Sequence, residues 1–297
     1  MKVQCPAKIN LFLEITGKMP NGYHKLATLF AKINLYDVLD MTADPGKKGI
    51  ELTIETAEGI PEISAGPDNL VVSAAEAFCK EFGVGQQVKI HLTKRIPVGA
   101  GLGGGSSDAA GTLMGLAKLF DIKLGVKEKA KLHKIASKMG ADIPFFLHPD
   151  TFCIGTGIGD KLKPVKIAKS LPYMILIYPS VHISTVDSYR NLPKPTRADV
   201  LTRLSQLDKL VKSLKRGAPV GEWEALLFNR LEQSRIPALA QVEQARRILS
   251  QAGARGVRMS GSGSSVFGFV SSHDEGDRLL KRLGAYPWSV FLTCCNG

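Results

Sequence analysis

Two hydrophobic periods meet in the middle of the chain. Val88, Ile90 and Leu92 alternate with Lys89, His91 and Thr93, which predicts a strand with one buried face. From Ser106 onward, Ala109, Ala110, Leu113, Leu116, Ala117 and Phe120 recur at threes and fours, one stripe of an amphipathic helix. Ser106 and Ser107 suit its N-cap, and Asp108 suits its first turn. Upstream, residues 7–15 alternate with Ile9, Leu11 and Leu13 on one side, and Pro20-Asn21-Gly22 predicts a turn. Strands are expected at 31–39 and 49–55. Helices are expected over 71–82, ending at Gly83, and over 127–139, stopped at Gly140. A strand and hairpin follow from Phe152 through the glycines at 155, 157 and 159.

Past Pro164 the pattern changes. Residues 173–178 form a solid apolar strand, and a basic helical stretch runs from 197 to 216. A helix over 237–252 turns Leu239, Val242, Ala245, Ile248 and Leu249 inward. Strands at 256–260 and 266–270 flank Gly261-Ser262-Gly263, and a helix at 275–283 and a strand at 289–293 follow. Strand-helix-strand-strand-helix-strand is the order of a split βαβ, ferredoxin-like domain. Two α/β (α+β) domains are therefore expected, at 1–162 and 163–297, and 297 residues suffice for two cores.

The segment between the first strand and helix carries the chemistry. Five glycines crowd into the seven positions from Gly99 to Gly105. A backbone without side chains bends sharply and comes close to a ligand. Successive N–H groups then curl around an anion, and the helix that follows aims its own unpaired N–H groups at the same point. A phosphate chain is the natural occupant. A nucleotide P-loop would need a lysine directly after the glycines, and none is present. A dinucleotide fold would need an acidic residue at a strand end about 20 residues on, and Asp121 follows a helix instead. The loop belongs to another phosphate-binding class.

Charge and composition narrow the partners. Lys and Arg outnumber Asp and Glu by 39 to 27, a net charge of +12. No basic stripe interleaved with aromatics supports nucleic-acid binding, so attraction of polyanionic small molecules suits the charge better. No apolar run approaches the roughly 18 residues of a membrane helix. Cys5, Cys79, Cys153, Cys294 and Cys295 are scattered, without metal-ligand spacing, and the last two read most simply as strand residues. A cytoplasmic protein without nucleic-acid or membrane partners is expected, monomer or homodimer.

The motifs then converge. Pro6-Ala7-Lys8-Ile9-Asn10-Leu11, the glycine loop of 97–110, and Met259-Ser260-Gly261-Ser262-Gly263 resemble the three motifs of the GHMP kinases. That superfamily includes the galacto-, homoserine, mevalonate and phosphomevalonate kinases. Gly22-Tyr23-His24-Lys25-Leu26 and Gly140-Ala141-Asp142-Ile143-Pro144-Phe145-Phe146 narrow the resemblance. They are similar to the branch that phosphorylates a methylerythritol linked to cytidine diphosphate, in the non-mevalonate route to isoprenoid precursors. The resemblance spans residues 6 to about 268. It implies ATP, Mg²⁺, and a two-domain GHMP kinase fold. The N-terminal ATP-binding domain would be like ribosomal protein S5 domain 2, the C-terminal one ferredoxin-like, with the site in the cleft between them.

It also implies residue roles. Lys8 and Asp142 occupy the catalytic positions: the carboxylate accepts the hydroxyl proton, and the ammonium offsets phosphoryl charge. Pro97, Val98, Gly99, Ala100, Gly101, Leu102, Gly103, Gly104, Gly105, Ser106 and Ser107 hold the ATP phosphates. Tyr23 and His24 recognise the cytidine, Phe30 and Tyr189 complete its pocket, and Asn10 shares a strand face with Lys8. Other readings stand beside these. Lys8 fits a solvent-facing strand position. Asp142 before Pro144 fits a helix N-cap. Ser106 and Ser107 fit either a cap or a Mg²⁺ contact. Phe30 fits a core, and Gly261-Ser262-Gly263 fits either a hairpin turn or a cap on substrate.

Overall fold

A computed structural model describes residues 1–20 and 22–295. The chain packs into two compact units that interleave along the sequence. The first holds residues 1–7, 35–98 and 103–149, and the second holds 8–34, 99–102 and 150 onward. Two long strands, β1 (Lys2–Lys18) and β2 (His24–Asp44), contribute residues to both. Asn21, central to the predicted turn between them, lies outside the described residues.

In the first unit, β3 (Ile50–Thr56), helix α1 (Leu70–Phe82) and β4 (Gln87–Lys94) form a parallel crossover. β4 then pairs antiparallel with β2 from Val38↔Thr93 to Asp44↔Gln87. The period-two pattern of β4 is realised, with Val88, Ile90 and Leu92 buried. The Asn69 side chain caps α1 by accepting from the Val71 N–H at 2.9 Å, and Gly83 ends it in a left-handed conformation. Helices α2 (Gly104–Leu119), α3 (Val126–Met139) and α4 (Ile143–Leu147) complete the unit. α2 lies unusually close to the sheet. A Cβ on Gly111 would stand 2.3 Å from Cys5 Sγ, and one on Gly115 would stand 2.1 Å from Met41 Cε. The core joins Leu39, Val88, Phe78, Leu113 and Leu116.

The expected start of α2 is corrected. The helix opens at Gly104, two residues before Ser106, with Gly103 as N-cap at φ 69° and no side-chain cap. Glycine reaches that left-handed conformation without strain. The helix thus begins inside the glycine run, and both serines lie in its first turn instead of capping it.

In the second unit, β5 (Phe152–Thr156) and β6 (Lys161–Pro164) form the expected hairpin, and β5 pairs with β2 at residues 28–31. β7 (Met174–Tyr178), α5 (Thr185–Arg190), α6 (Arg197–Lys215), α7 (Val220–Trp223), β8 (Phe228–Asn229) and α8 (Leu239–Gln251) follow. β9 (Arg255–Met259), β10 (Val266–Phe269), α9 (His273–Leu283) and β11 (Ser289–Thr293) end the described elements. Four of these strands make an antiparallel sheet in the order β11-β7-β10-β9. With α8 and α9 packed on it, this is the ferredoxin-like arrangement expected from the element order. Ile175, Ile177, Val242, Ala245, Leu249, Val266 and Leu279 fill its core. The short β8 pairs in parallel with β1 through Phe12↔Phe228 and Leu13↔Asn229. Cys294 and Cys295 fall just past β11 and not within it, because pairing with β7 ends at Thr293↔Met174. All five cysteines are free thiols. No helix among the described residues is long and apolar enough to cross a membrane.

Candidate active site

Strand β1 is buried on both faces along residues 7–13, so its polar alternates do not face water. Lys8 is only 4% exposed and Asn10 only 2%. The solvent-facing reading of Lys8 therefore fails. A buried ammonium requires partners. Lys8 Nζ donates to Asn10 Oδ1 at 2.7 Å and lies 5.7 Å from the centre of the Phe30 ring. Asn10 Nδ2 donates in turn to Thr28 Oγ1 at 2.8 Å, and that hydroxyl donates to the Phe12 carbonyl at 2.7 Å. The amide of Asn10 is thereby fixed with its oxygen toward the lysine. Phe30 itself is buried, packed against Gly155 and beside the lysine.

The bend of the glycine loop meets the same strand. Lys8 N–H donates to the Leu102 carbonyl at 2.9 Å. Gly101, at φ 76°, presses so closely on the β9–β10 turn that a Cβ there would stand 2.1 Å from the Ser260 carbonyl oxygen. Ser260 Oγ donates to the Gly101 carbonyl at 3.0 Å, and Ser265 N–H donates to that of Ala100 at 3.1 Å. Gly261 of the same turn backs onto the lysine, since a Cβ on it would lie 3.1 Å from Lys8 Nζ and 3.3 Å from Asn10 Oδ1. The Gly261-Ser262-Gly263 segment is thus a hairpin turn by topology and a wall behind Lys8 by position. Asn229 fixes that wall. Its Nδ2 donates to the carbonyls of Met259 at 2.9 Å and Gly261 at 2.8 Å, while its Oδ1 accepts from Leu231 N–H. Nothing in the local sequence marks Asn229 for this role, because the two carbonyls that its amide holds lie some 30 residues away.

In the first unit, the loop runs into α2, and α2 packs against α4. A Cβ on Gly140 would lie 4.0 Å from Ser106 Oγ, so the Gly140-Ala141-Asp142 turn adjoins the loop's last residues. Asp142 occupies the N-cap position of α4, with Pro144 in the first turn, as one sequence reading had it. Its backbone is helical, however, and its carboxylate caps none of the helix N–H groups. Ser107 Oγ is buried and has no hydrogen-bond partner.

Of the residues expected around a base, His24 and Tyr189 meet in the second unit. The rings of His24 and Tyr189 stack at 4.9 Å between centroids, inclined by 22°. Both are partly exposed, and Tyr23 beside them is 60% exposed. Partial burial, then the positive charge of Lys18, holds the His24 imidazole below its ordinary pKa, so it is neutral at neutral pH. A neutral imidazole offers one donor and one acceptor.

Residues 69–149 match the GHMP kinases N terminal domain, and residues 210–287 match GHMP kinases C terminal. A 4-diphosphocytidyl-2-C-methyl-D-erythritol kinase of Chloroherpeton thalassium is 38% identical, over 97% of this chain and 96% of its own. One of Prosthecochloris aestuarii is 37% identical, over 96% and 94%. A crystal structure of 4-(cytidine 5'-diphospho)-2C-methyl-D-erythritol kinase superimposes with a TM-score of 0.80 at 30% identity, covering 100% of both chains. The homoserine kinase of Cytophaga hutchinsonii shares the fold at a TM-score of 0.74 and 20% identity, with 100% of this chain and 94% of that one covered. The chain is a small-molecule kinase and belongs to the 4-diphosphocytidyl-2-C-methyl-D-erythritol kinase family of the GHMP kinases.

Proposed function

We propose that the protein transfers the γ-phosphoryl group of ATP to the 2-hydroxyl of 4-diphosphocytidyl-2-C-methyl-D-erythritol. The observation that carries the choice of substrate is the His24–Tyr189 stack. Two flat, partly exposed rings from distant parts of the chain make a platform for a pyrimidine, and neutral His24 presents hydrogen-bonding nitrogens to its edge. Tyr23 adds a third ring, Phe30 closes the pocket behind Lys8, and Asn10 reaches the substrate from the same strand face. Homoserine and mevalonate carry no base to occupy such a platform.

Backbone N–H groups between Val98 and Ser106 hold the polyphosphate, aided by the N-terminus of α2. Phosphoryl transfer depends on positioning and charge stabilisation. The substrate oxygen attacks the γ-phosphorus, the bond from that phosphorus to the β–γ bridging oxygen breaks, and ADP leaves with the electron pair. The hydroxyl proton passes to the Asp142 carboxylate, which its own helix does not use as a cap. Lys8, held by Asn10 in a nearly dry setting, supplies positive charge where water would screen it least. The Ser106 or Ser107 hydroxyl, at the end of the loop, would be a hard oxygen donor suited to Mg²⁺. When bound, the ion neutralises charge on the β- and γ-phosphate oxygens. Nucleotide substrates and five free thiols suit the cytoplasm.

The test is turnover of ATP by the purified protein against a panel of alcohols. The cytidyl-linked methylerythritol should be phosphorylated, and homoserine and mevalonate should not. Turnover of mevalonate or homoserine without the cytidyl substrate overturns the proposal in favour of another GHMP kinase activity.

A further inference from the structure

Three charged residues meet beneath the phosphate loop in the first unit. Asp37 comes from β2, Lys94 ends β4, and Asp108 lies in α2. Their side chains are at most 3% exposed. Lys94 Nζ donates to Asp37 Oδ2 and, at 2.7 Å, to Asp108 Oδ2. Asp37 Oδ1 accepts from two successive backbone N–H groups, Arg95 at 2.5 Å and Ile96 at 2.8 Å. Asp108 Oδ1 is buried with no hydrogen-bond partner.

Such a triad is a poor way to gain stability. One ammonium and two carboxylates leave an excess negative charge out of water, and apolar residues of similar volume often serve a core as well or better. The cost is visible in Asp108, whose carboxyl is lifted by burial above the usual carboxylate range even with Lys94 beside it. Its location gives another reason for it. Lys94, Arg95 and Ile96 are the last residues before the loop begins at Pro97, and Asp108 is the first after it ends at Ser107. The triad thus ties together both ends of the loop, and Asp37 orients the two peptide units that lead into it. Gly104, the first residue of α2, lies directly over the lysine: a Cβ there would stand 2.8 Å from Lys94 Nζ.

We infer that Asp37, Lys94 and Asp108 are positioning residues that clamp the ends of the phosphate loop and pre-set its N–H groups for the nucleotide; this rests on the proposal that the loop binds ATP. A loop that must order itself on binding loses affinity to that ordering, and a preformed one does not. The effect should fall on the nucleotide and spare the alcohol.

The experiment compares wild type, Asp108→Asn and Asp108→Ala. It measures KM for both substrates, the calorimetric affinity for a non-hydrolysable ATP analogue, and amide hydrogen exchange. Losing the charged hydrogen bond should weaken analogue binding and raise KM for ATP about tenfold in Asp108→Ala. Asn, which keeps an acceptor for Lys94, should recover part of that loss. KM for the alcohol should not move, and exchange should quicken at residues 95–108 while α1 stays protected. If Asp108→Ala does not fold, analogue affinity and exchange in Asp108→Asn decide alone. Unchanged analogue affinity, a parallel rise in both KM values, or faster exchange spread evenly over the unit would each overturn the inference. If wild type binds the analogue but phosphorylates no alcohol, the proposed function fails while the clamp is still tested by the same affinities.

Discussion

At the residue scale, the proposed chemistry depends on the buried ammonium of Lys8 and the carboxylate of Asp142. Asp142→Asn should lower kcat by about a hundred- to ten-thousand-fold, the usual contribution of a general base, while ATP affinity by calorimetry stays within about twofold. Equal turnover in that variant would remove Asp142 from the reaction. His24 has a pH signature. Its depressed pKa keeps the imidazole neutral at and above the ordinary histidine value, so KM for the cytidyl substrate should be flat there. KM should rise only as pH falls below that value and the imidazolium forms, and His24→Gln should abolish this acid-side rise. A rise on the alkaline side instead would contradict a neutral His24. Lys8 was legible through the motif around it, and Asn10 because the period of two places it on the same face. That this face would be dry was not, since solvent exposure depends on what other strands and turns cover it. The partners of Asn229 and the Asp37–Lys94–Asp108 triad left no trace in local pattern, because buried polar pairing is decided by contacts far apart in sequence.

At the element scale, the two glycine-rich turns support each other. Replacing Asn229 by Ala strands the Met259 and Gly261 carbonyls in a buried site. Denaturant unfolding should then show a loss of about 1–3 kcal/mol, and kcat should fall because the wall behind Lys8 is no longer fixed. Wild-type stability in Asn229→Ala would show that the turn holds itself. Long elements with strong periodicity, such as β4, α1 and α3, were readable to within one or two residues. The start of α2 was misplaced because cap preference pointed to Ser106, whereas Gly103 takes the left-handed position that opens the helix. β8 has only two residues and α5 only six, too short for any period to show. Yet α5 carries Tyr189 to His24, and β8 carries Asn229 to the turn.

At the scale of the whole molecule, a net charge of +12 meets substrates that are both polyanions. Association should therefore weaken with salt, because the Debye length shrinks from about 10 Å at 0.1 M to about 3 Å at 1 M. kcat/KM for ATP should fall several-fold as ionic strength rises between those values, with kcat little changed; salt-independent kcat/KM would leave the charge without a part in substrate capture. The second unit's element order was legible because its strands and helices follow one another in sequence. The interleaving of the first unit with residues 8–34 and 99–102 was not, because it arises from packing along two continuous strands and one loop. The central claim is tested most directly by the position of the new phosphate. With ATP and ¹³C-labelled cytidyl-linked methylerythritol, NMR of the product should show one added phosphorus coupled to carbon 2. A phosphate on any other carbon, or none with this alcohol while another small alcohol is phosphorylated, would contradict it.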